Sequence, residues 1–285
     1  MKLGIALSGG GIKGIAHAGV LQALEENNIK VDIIGGTSSG GIIASLYAMG
    51  YNPSEILKLY KANANGITNF KYNPLLSGLT NFIGKKKGKF IGFNTGESIE
   101  QSYLDLSKQN KMEKISDIKM PLVIPAVDLS DSKEYVFTNY IPKIQTDDVE
   151  YISDIPIGTA VRATSSFPAF FCPCNYKTHR FLDGGVLDNI PVGEVKKQGA
   201  NKVLAVIFES DGIDKTSNVM DIAMHTIDIM GGHISKNNLD ASDLVLKVKT
   251  EKMDFLDTSK IDNCFNYGYE AAIKNIDLIK SLLVL

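Results

Sequence analysis

The sequence is poor in the residues that mark disulfide-rich or nucleic-acid-binding proteins. Cysteine occurs only three times in 285 residues, and Cys172 and Cys174 are too close in sequence to form an unstrained disulfide with each other. Arginine occurs only twice, and the formal net charge is −2. Because phosphate contacts need clustered cations, we do not expect nucleic acid as a partner. Free cysteines agree with a reducing, cytoplasmic location.

Long apolar stretches are also lacking. The nearest approach is residues 41–50, far short of the about 18 residues that a membrane-spanning helix needs. Residues 1–7 are apolar but run directly into glycines, so they lack the apolar core of a signal peptide and are interpreted as a first strand. Any membrane contact is therefore expected to be peripheral.

Apolar runs rich in β-forming residues alternate with segments of helical spacing, which predicts a single layered α/β domain over residues 1–285. The predicted strands are residues 3–7, 31–34, 122–127, 135–138, 203–208 and 244–248. The predicted helices are residues 15–27, 38–49, 53–62, 98–108, 155–164, 191–198, 219–237 and 266–283. The third of these helices begins with an N-cap Asn52, Pro53 at N1 and Glu55 at N3.

Residues 63–95 have no clear period and combine Asn, Gly and Lys with scattered aromatics, which predicts a lid or an insertion. Within this segment, Lys85-Lys86-Lys87-Gly88-Lys89 is the densest positive run of the chain. A solvated loop is the simpler interpretation of this run, and docking on anionic lipid headgroups is the alternative.

Ser38 lies in Gly36-Thr37-Ser38-Ser39-Gly40, a GxSxG motif between a predicted strand and a predicted helix. This is the layout of a nucleophile elbow, in which a sharp turn exposes a serine hydroxyl and small neighbours let a substrate approach. The helix that follows adds amide donors and a positive dipole end near the serine. The motif therefore predicts a nucleophile.

The first strand ends in Ser8-Gly9-Gly10-Gly11-Ile12-Lys13-Gly14, whose backbone amides can hold an oxyanion because glycines leave them unobstructed. Gly9, Gly11 and Gly14 also satisfy GxGxxG, the fingerprint of a dinucleotide-binding site. The acidic residue of that fingerprint would be Asp32, which precedes the second strand where it should follow it. A Walker loop is excluded, because Ile15 follows Gly14.

The general base is less obvious. None of His17, His179, His225 and His233 has a convincing setting, and His17 is expected to be a packed or surface residue. Asp183-Gly184-Gly185 follows a short apolar run, and burial near aromatic residues would make this carboxylate more basic. The candidates for such an aromatic wall are Phe167, Phe170, Phe171 and Phe181. Asp-Gly is equally typical of a turn, so this pattern alone leaves both roles open.

Four blocks occur in an order that resembles the patatin-like phospholipase family: Gly9-Gly10-Gly11-Ile12-Lys13-Gly14, Gly36-Thr37-Ser38-Ser39-Gly40, Ala163-Thr164-Ser165-Ser166-Phe167-Pro168 and Asp183-Gly184-Gly185. The resemblance implies a layered α/β fold with a central, mostly parallel sheet flanked by helices. It further implies a lipid acyl hydrolase with a Ser38–Asp183 dyad and no histidine. The implied oxyanion hole comprises the amides of Gly10, Gly11 and Ile12, with Lys13 at the family's basic position. The supporting motif glycines are Gly9, Gly14, Gly36, Gly40, Gly184 and Gly185.

The expected activity is cleavage of fatty-acyl esters, such as phospholipids or lysophospholipids, through an acyl-serine intermediate without metal or cofactor. Five acidic residues between positions 128 and 150 lack EF-hand spacing and are interpreted as solvated surface: Asp128, Asp131, Asp147, Asp148 and Glu150. Two alternatives remain, an NAD-linked oxidoreductase and a non-catalytic lipid-binding regulatory protein. Ser8 replaces an aspartate common in relatives, and residues 63–95 and those after 261 match no block. The headgroup, the chain length and the choice between hydrolysis and acyl transfer are therefore left open.

Overall fold

A computed structural model describes residues 1–68, 94–143, 145–168, 170–209, 226, 229–251 and 257–283. The strands are β1 Leu3–Leu7, β2 Ile33–Gly36, β3 Leu122–Asp128, β4 Glu134–Thr138, β5 Val149–Ile152, β6 Cys174–Tyr176, β7 His179–Asp183, β8 Lys202–Phe208 and β9 Leu244–Val248. The helices are α1 Ala16–Glu26, α2 Ser39–Ala48, α3 Pro53–Thr68, α4 Glu97–Asn110, α5 Ile157–Thr164, α6 Val192–Lys197, α7 Lys236–Ala241, α8 Ile261–Lys274 and α9 Ile276–Ser281.

The strands form one sheet in the order β5-β4-β3-β2-β1-β8-β9, with β1 near its centre. The pairs β1–β2, β2–β3, β1–β8, β8–β9 and β4–β5 are parallel, whereas β3–β4 is antiparallel. Helices cover both faces of the sheet, so every residue of β1 is buried. Leu3, Ile5 and Leu7 belong to one hydrophobic cluster, and Ala6 belongs to a second cluster on the other face. The prediction of a mostly parallel sheet flanked by helices is confirmed.

Strand β3 has two partners along one edge. Its first part pairs in parallel with β2, with Ile34 opposite Leu122. Its last part pairs in antiparallel fashion with β7, with Asp183 opposite Ala126. Because β2 runs toward β7 along the same edge, the carboxyl ends of these two strands face each other. This arrangement brings the turn after β2 and the turn after β7 to the same part of the molecule.

Most predicted elements are present with shifted ends. Strand β2 begins two residues later than predicted and extends to Gly36, and the predicted first helix starts with a 3-10 turn at Gly11–Ile15. The start of α3 is confirmed, because Asn52 Oδ1 accepts from Glu55 N and Glu55 Oε2 accepts from Asn52 N, both at 2.9 Å. Strands β5, β6 and β7 were not predicted, because none of them has the long apolar run that marks a buried strand.

Two predictions for the ends of helical segments are wrong. The single helix at residues 266–283 is two helices that begin at Ile261 and Ile276, separated at Asn275, whose φ of −110° and ψ of 14° are not helical. The predicted helix at 53–62 continues to Thr68 and so includes the first residues of the segment 63–95, for which a lid or an insertion is predicted and most of which lies outside the described residues. The lysine run at 85–89 lies outside the described residues. Of the predicted helix at 219–237, the structure describes residues 226 and 229–237, and all of these are helical except Ser235. No described helix is long and apolar enough to cross a bilayer.

Candidate active site

Ser38 occupies a strained turn between β2 and α2. Its φ of 54° and ψ of −123° are unusual for a residue with a side chain, and such conformations persist only where surrounding contacts enforce them. Three hydrogen bonds enforce this one: Thr37 N donates to Leu7 O at 3.1 Å, Thr37 Oγ1 donates to Asp188 O at 2.8 Å, and Ser38 N donates to Thr164 Oγ1 at 3.0 Å. The turn is therefore held from three separate segments of the chain.

Close backbone contacts explain the glycines on either side of Ser38. A Cβ atom on Gly36 would lie 2.3 Å from Gly40 O, and one on Gly40 would lie 2.5 Å from Leu7 O. Both distances are shorter than any real contact of this kind, and the atoms opposed to them are backbone. The GxSxG motif thus lets β1, β2 and the start of α2 approach closely enough to form the elbow.

The glycine-rich loop after β1 lies against this elbow. It continues into the 3-10 turn Gly11–Ile15, in which the amides of Gly10, Gly11 and Ile12 precede the first intrahelical hydrogen bond. The amide of Gly9 is already used, because it donates to Asn189 Oδ1 at 3.2 Å. A Cβ atom on Gly14 would lie 2.4 Å from Ser39 Cβ, so the loop and the first residue of α2 are in contact.

Lys13 is half-buried in the same loop. Its charge acts on Cys264 of α8 and lowers the pKa of that thiol, although burial is the larger effect and raises the pKa to about 11. The charge of Lys13 therefore lies within electrostatic range of α8.

Asp183 is the last residue of β7 and is 2 % exposed. Its Oδ1 accepts from Gly185 N at 2.8 Å, the geometry of an Asp-Gly turn, and its own backbone N donates to Ser166 O at 3.0 Å. Gly184 lies so close to Pro125 O that a Cβ atom there would stand 2.4 Å from it. The turn role considered from the sequence is therefore observed, and it holds a buried carboxyl group at the edge of β3.

Two segments connect the neighbourhood of Ser38 with that of Asp183. In the first, Thr164 accepts from Ser38 N and Ser166 accepts from Asp183 N, so residues only two positions apart contact both turns. In the second, Asn189 binds Gly9 N, and a Cβ atom on Gly185 would lie 3.1 Å from Asn189 Oδ1. Sequence reasoning missed the roles of Thr164 and Asn189. The only signal that the sequence carries for either residue is a short polar side chain near a motif glycine or a proline.

The four phenylalanines proposed as a wall for Asp183 fall into separate contacts. Phe170 and Phe171 pack edge to face with ring centroids 4.8 Å apart, whereas Phe181 packs edge to face on Phe137 at 5.2 Å. Phe181 is fully buried in the sheet layer beside β4. These phenylalanines therefore belong to the hydrophobic core.

His17 is a packed residue, as expected. It is fully buried, its Nε2 donates to Ser8 O at 2.8 Å, and its ring lies 4.8 Å from that of Phe208. Burial lowers the pKa of His17 to about 4, so the ring is neutral at pH 7. His17 supports the residue that precedes the glycine-rich loop.

His179 pairs with Asp128, with 2.5 Å between Nδ1 and Oδ2. Asp128 is 1 % exposed and also accepts from Ser130 N, so its interpretation as solvated surface is wrong. Desolvation raises the pKa of the Asp128 carboxyl, but its hydrogen bonds together outweigh this and lower it.

The other acidic residues predicted to be solvated, Asp131, Asp147, Asp148 and Glu150, are exposed. The described residues include no group of three His, Cys, Asp or Glu side chains placed to bind a metal. His233 lies in the helical residues 229–234, and His225 lies outside the described residues.

Asp32 is at the wrong end of the sheet for a dinucleotide site. Its Oδ2 accepts from Leu3 N at 3.0 Å at the beginning of β1, and its Oδ1 pairs with Lys30 at 2.9 Å. The glycine-rich loop follows the other end of β1, so Asp32 is separated from it by the length of the strand. This position disfavours the oxidoreductase alternative, because the ribose-binding carboxylate belongs at the carboxyl end of the second strand.

Comparisons with known proteins agree with the resemblance found in the sequence. The model of the family described as patatin-like phospholipase matches residues 5–196. A lysophospholipase NTE1 of Meyerozyma guilliermondii is 30 % identical over 205 residues, which is 72 % of this chain but 12 % of that protein. The chain therefore corresponds to a small part of this yeast relative.

A bacterial relative and a solved structure extend the comparison. The uncharacterized protein YqhO of Bacillus subtilis is 31 % identical over 210 residues, covering 70 % of this chain and 68 % of that protein. The crystal structure of VipD from Legionella pneumophila aligns with 97 % of this chain and 66 % of its own, with 15 % identity and a TM-score of 0.48. Since the family model spans more than half of the sequence, including the glycine-rich loop, the GxSxG elbow and the Asp183 turn, the chain belongs to the patatin-like phospholipase family.

Proposed function

We propose that this protein is a serine lipid acyl hydrolase of the phospholipase A, lysophospholipase or esterase type, with Ser38 as nucleophile and Asp183 as general base. The observation that supports this proposal is the opposed approach of β2 and β7 along one edge of β3. Strand β7 ends at Asp183, and β2 ends at the turn that contains Ser38. Thr164 contacts Ser38, and Ser166, two positions later, contacts Asp183. Membership of a phospholipase family supports the same chemistry.

In the proposed reaction, Asp183 takes the proton of Ser38 Oγ as that oxygen bonds to the ester carbonyl carbon. The carbonyl oxygen becomes an oxyanion. Collapse of the tetrahedral intermediate breaks the bond to the alcohol, which leaves with the proton held by Asp183. Water, deprotonated by the same carboxylate, then attacks the acyl-serine. Collapse of this second tetrahedral intermediate breaks the bond to Ser38 Oγ, which takes the proton back from Asp183 as the fatty acid leaves.

The amides of Gly10, Gly11 and Ile12 are the proposed donors to the oxyanion. They precede the first hydrogen bond of the turn Gly11–Ile15, so the turn itself does not consume them. The start of α2, directly after Ser38, adds the positive end of a helix dipole to the same region. Loss of one such donor typically costs about a hundred- to a thousand-fold in rate.

The proposed substrates are phospholipids, lysophospholipids or other fatty-acyl esters, a class to which the name of the Meyerozyma guilliermondii relative, a lysophospholipase, also refers. Such substrates reside in or near bilayers, so we propose a cytoplasmic protein with peripheral membrane contact. The scheme uses neither a metal nor a nicotinamide cofactor.

A panel of acyl esters with different headgroups tests the proposal on wild type, Ser38→Ala, Asp183→Asn and the exposed control Asp148→Asn. We expect kcat/KM to fall by about 10⁴-fold in Ser38→Ala and Asp183→Asn and to be unchanged in Asp148→Asn. A fluorophosphonate probe is expected to modify wild type at Ser38, as read by peptide mass spectrometry. Full activity in either dyad variant would contradict the assignment. A wild type inactive on all esters that still binds vesicles would favour a non-catalytic lipid-binding protein.

A further inference from the structure

A cleft next to the elbow is framed by three helices, α2, α3 and α4. The space between its walls is about 480 Å³ when the open mouth and the adjoining solvent are counted. On the α2 side its walls are Ile42 and Leu46, which lie one and two helical turns after Ser38. Ile42 and Leu46 thus lie on one face of the helix that begins directly after Ser38.

Hydrogen bonds fix how the three helices run. Tyr60 of α3 donates to Gly11 O at 3.3 Å, so this part of α3 touches the glycine-rich loop. Ser102 of α4 donates to Asn63 of α3 at 2.6 Å, near the same end. Asn110 at the end of α4 contacts Tyr51, which precedes α3, so that contact lies at the opposite end. Helix α3 therefore returns toward the elbow, and α2 and α4 lead away from it.

The surface of the cleft is almost entirely apolar. All three helices contribute aliphatic side chains to it, namely Ile42, Leu46, Leu59, Ile99 and Leu106. Polar groups of the wall are engaged with one another or with the backbone: Ser102 Oγ donates to Asn63 Oδ1 at 2.6 Å, and the Tyr103 hydroxyl contacts Ser45 Oγ at 2.7 Å and Ile42 O at 3.0 Å. The cleft thus offers an apolar surface between the three helices.

We infer that this cleft receives the fatty-acyl chain of the substrate and that Leu46, Leu59 and Leu106 set the chain length. The inference rests on the proposed function, because it takes Ser38 as the atom to which the acyl group becomes attached. An ester at the elbow directs its alkyl chain along the face of α2 that carries Ile42 and Leu46. Each methylene buried there contributes about 0.8 kcal/mol, so the length of the apolar part selects among acyl groups.

Two leucines of α4 provide a matched test. Leu106 lines the cleft, whereas Leu104 is 46 % exposed two positions earlier in the same helix and is not part of its wall. Wild type, Leu106→Phe and Leu104→Phe are assayed with p-nitrophenyl butyrate and p-nitrophenyl palmitate. We expect the palmitate-to-butyrate ratio of kcat/KM to fall about tenfold or more in Leu106→Phe and to stay at the wild-type value in Leu104→Phe.

The outcomes separate the cleft from the dyad. An unchanged ratio in Leu106→Phe, or an equal fall in Leu104→Phe, would overturn the inference while leaving the hydrolase intact. If wild type cleaves neither ester, the proposed function fails, and calorimetric binding of palmitate still decides about the cleft. Palmitate binding that is lost in Leu106→Phe and kept in Leu104→Phe supports the cleft, and binding unaffected by Leu106→Phe overturns it. Thermal unfolding of both variants identifies a misfolded protein.

Discussion

At the scale of single residues, the site depends on a strained conformation that neighbouring side chains hold in place. A serine with φ of 54° and ψ of −123° costs about 1–3 kcal/mol relative to an ordinary turn. Thr164 opposes this cost, because its hydroxyl accepts from Ser38 N at 3.0 Å, and it is itself fully buried. Thr164 is a positioning residue in this arrangement, since it acts through the backbone of Ser38.

Replacement of Thr164 by valine is predicted to lower kcat about tenfold with little change in KM. The substitution keeps the shape of the side chain and removes the acceptor of Ser38 N, and a lost buried hydrogen bond is worth about 1–3 kcal/mol. Steady-state kinetics on a soluble acyl ester measures both constants. Ser165→Ala is the control, because Ser165 Oγ is buried and has no hydrogen-bond partner among the described residues. Equal losses in both variants would point to a general packing defect.

At the scale of elements, β4 and α6 enclose an acidic cluster behind the site. It comprises Glu134, Asp188, Glu194, Lys197 and Tyr151. Lys197 Nζ donates to Glu194 Oε1 at 2.7 Å, and Tyr151 OH donates to Glu194 Oε2 at 2.9 Å. Burial, reinforced by the neighbouring carboxylates, raises the pKa of both Glu134 and Asp188. The cluster reaches the elbow through the backbone of Asp188, whose carbonyl accepts from Thr37 Oγ1.

The raised pKa values predict a fold that loses stability as the pH rises toward 9. A carboxyl group with a higher pKa when folded binds more protons in the native state. The free energy of unfolding therefore falls as the pH rises from the ordinary pKa of the group to its raised value, which is about 9 for Glu134 and about 7 for Asp188. Glu134→Gln removes one such group without removing volume. Urea unfolding at pH 6 and pH 9 is expected to show a smaller loss of stability on going to pH 9 in Glu134→Gln than in wild type. The exposed variant Glu150→Gln is expected to match wild type, and identical pH dependence in all three proteins would refute the prediction.

At the scale of the whole molecule, the chain beyond the family match completes the sheet and covers α1. Strands β8 and β9 pair beside β1, and α8 packs on α1, the helix that follows the glycine-rich loop. The two helices touch at glycines: a Cβ atom on Gly268 would lie 1.8 Å from Ala16 O, and one on Gly19 would lie 1.9 Å from Phe265 O. The carboxyl-terminal region therefore supports the loop that carries the proposed oxyanion hole.

Gly268→Ala is predicted to lower the free energy of unfolding by about 1–3 kcal/mol, because the added methyl group pushes α8 away from α1. The matched control is Gly232→Ala, another helical glycine, where an added Cβ meets no atom within 4 Å. There the gain in helix propensity is expected to raise stability by up to about 1 kcal/mol. Chemical denaturation measures both, and equal effects of the two substitutions would contradict close packing at Gly268.

The sequence alone determined the features that depend on neighbours along the chain. The elbow around Ser38 and the glycine-rich loop follow from the small residues that a sharp turn requires, and the start of α3 follows from its cap. Hydrophobic periodicity located most buried strands and helices, because the spacing of apolar residues along an element depends only on neighbouring positions in the sequence. Strands β5, β6 and β7 lacked such a pattern and were missed.

Only the tertiary structure decided which distant residues meet. Thr164 and Ser38 are separated by 126 positions, and Asn189 and Gly9 by 180, so no local pattern pairs them. The same holds for Asp128, which looked like a surface residue until β7 brought His179 against it. The direction of β7, opposite to β2 along β3, likewise arises from the pairing of strands far apart in the chain. Local sterics specify turns, whereas a site assembled from several turns requires the packed sheet.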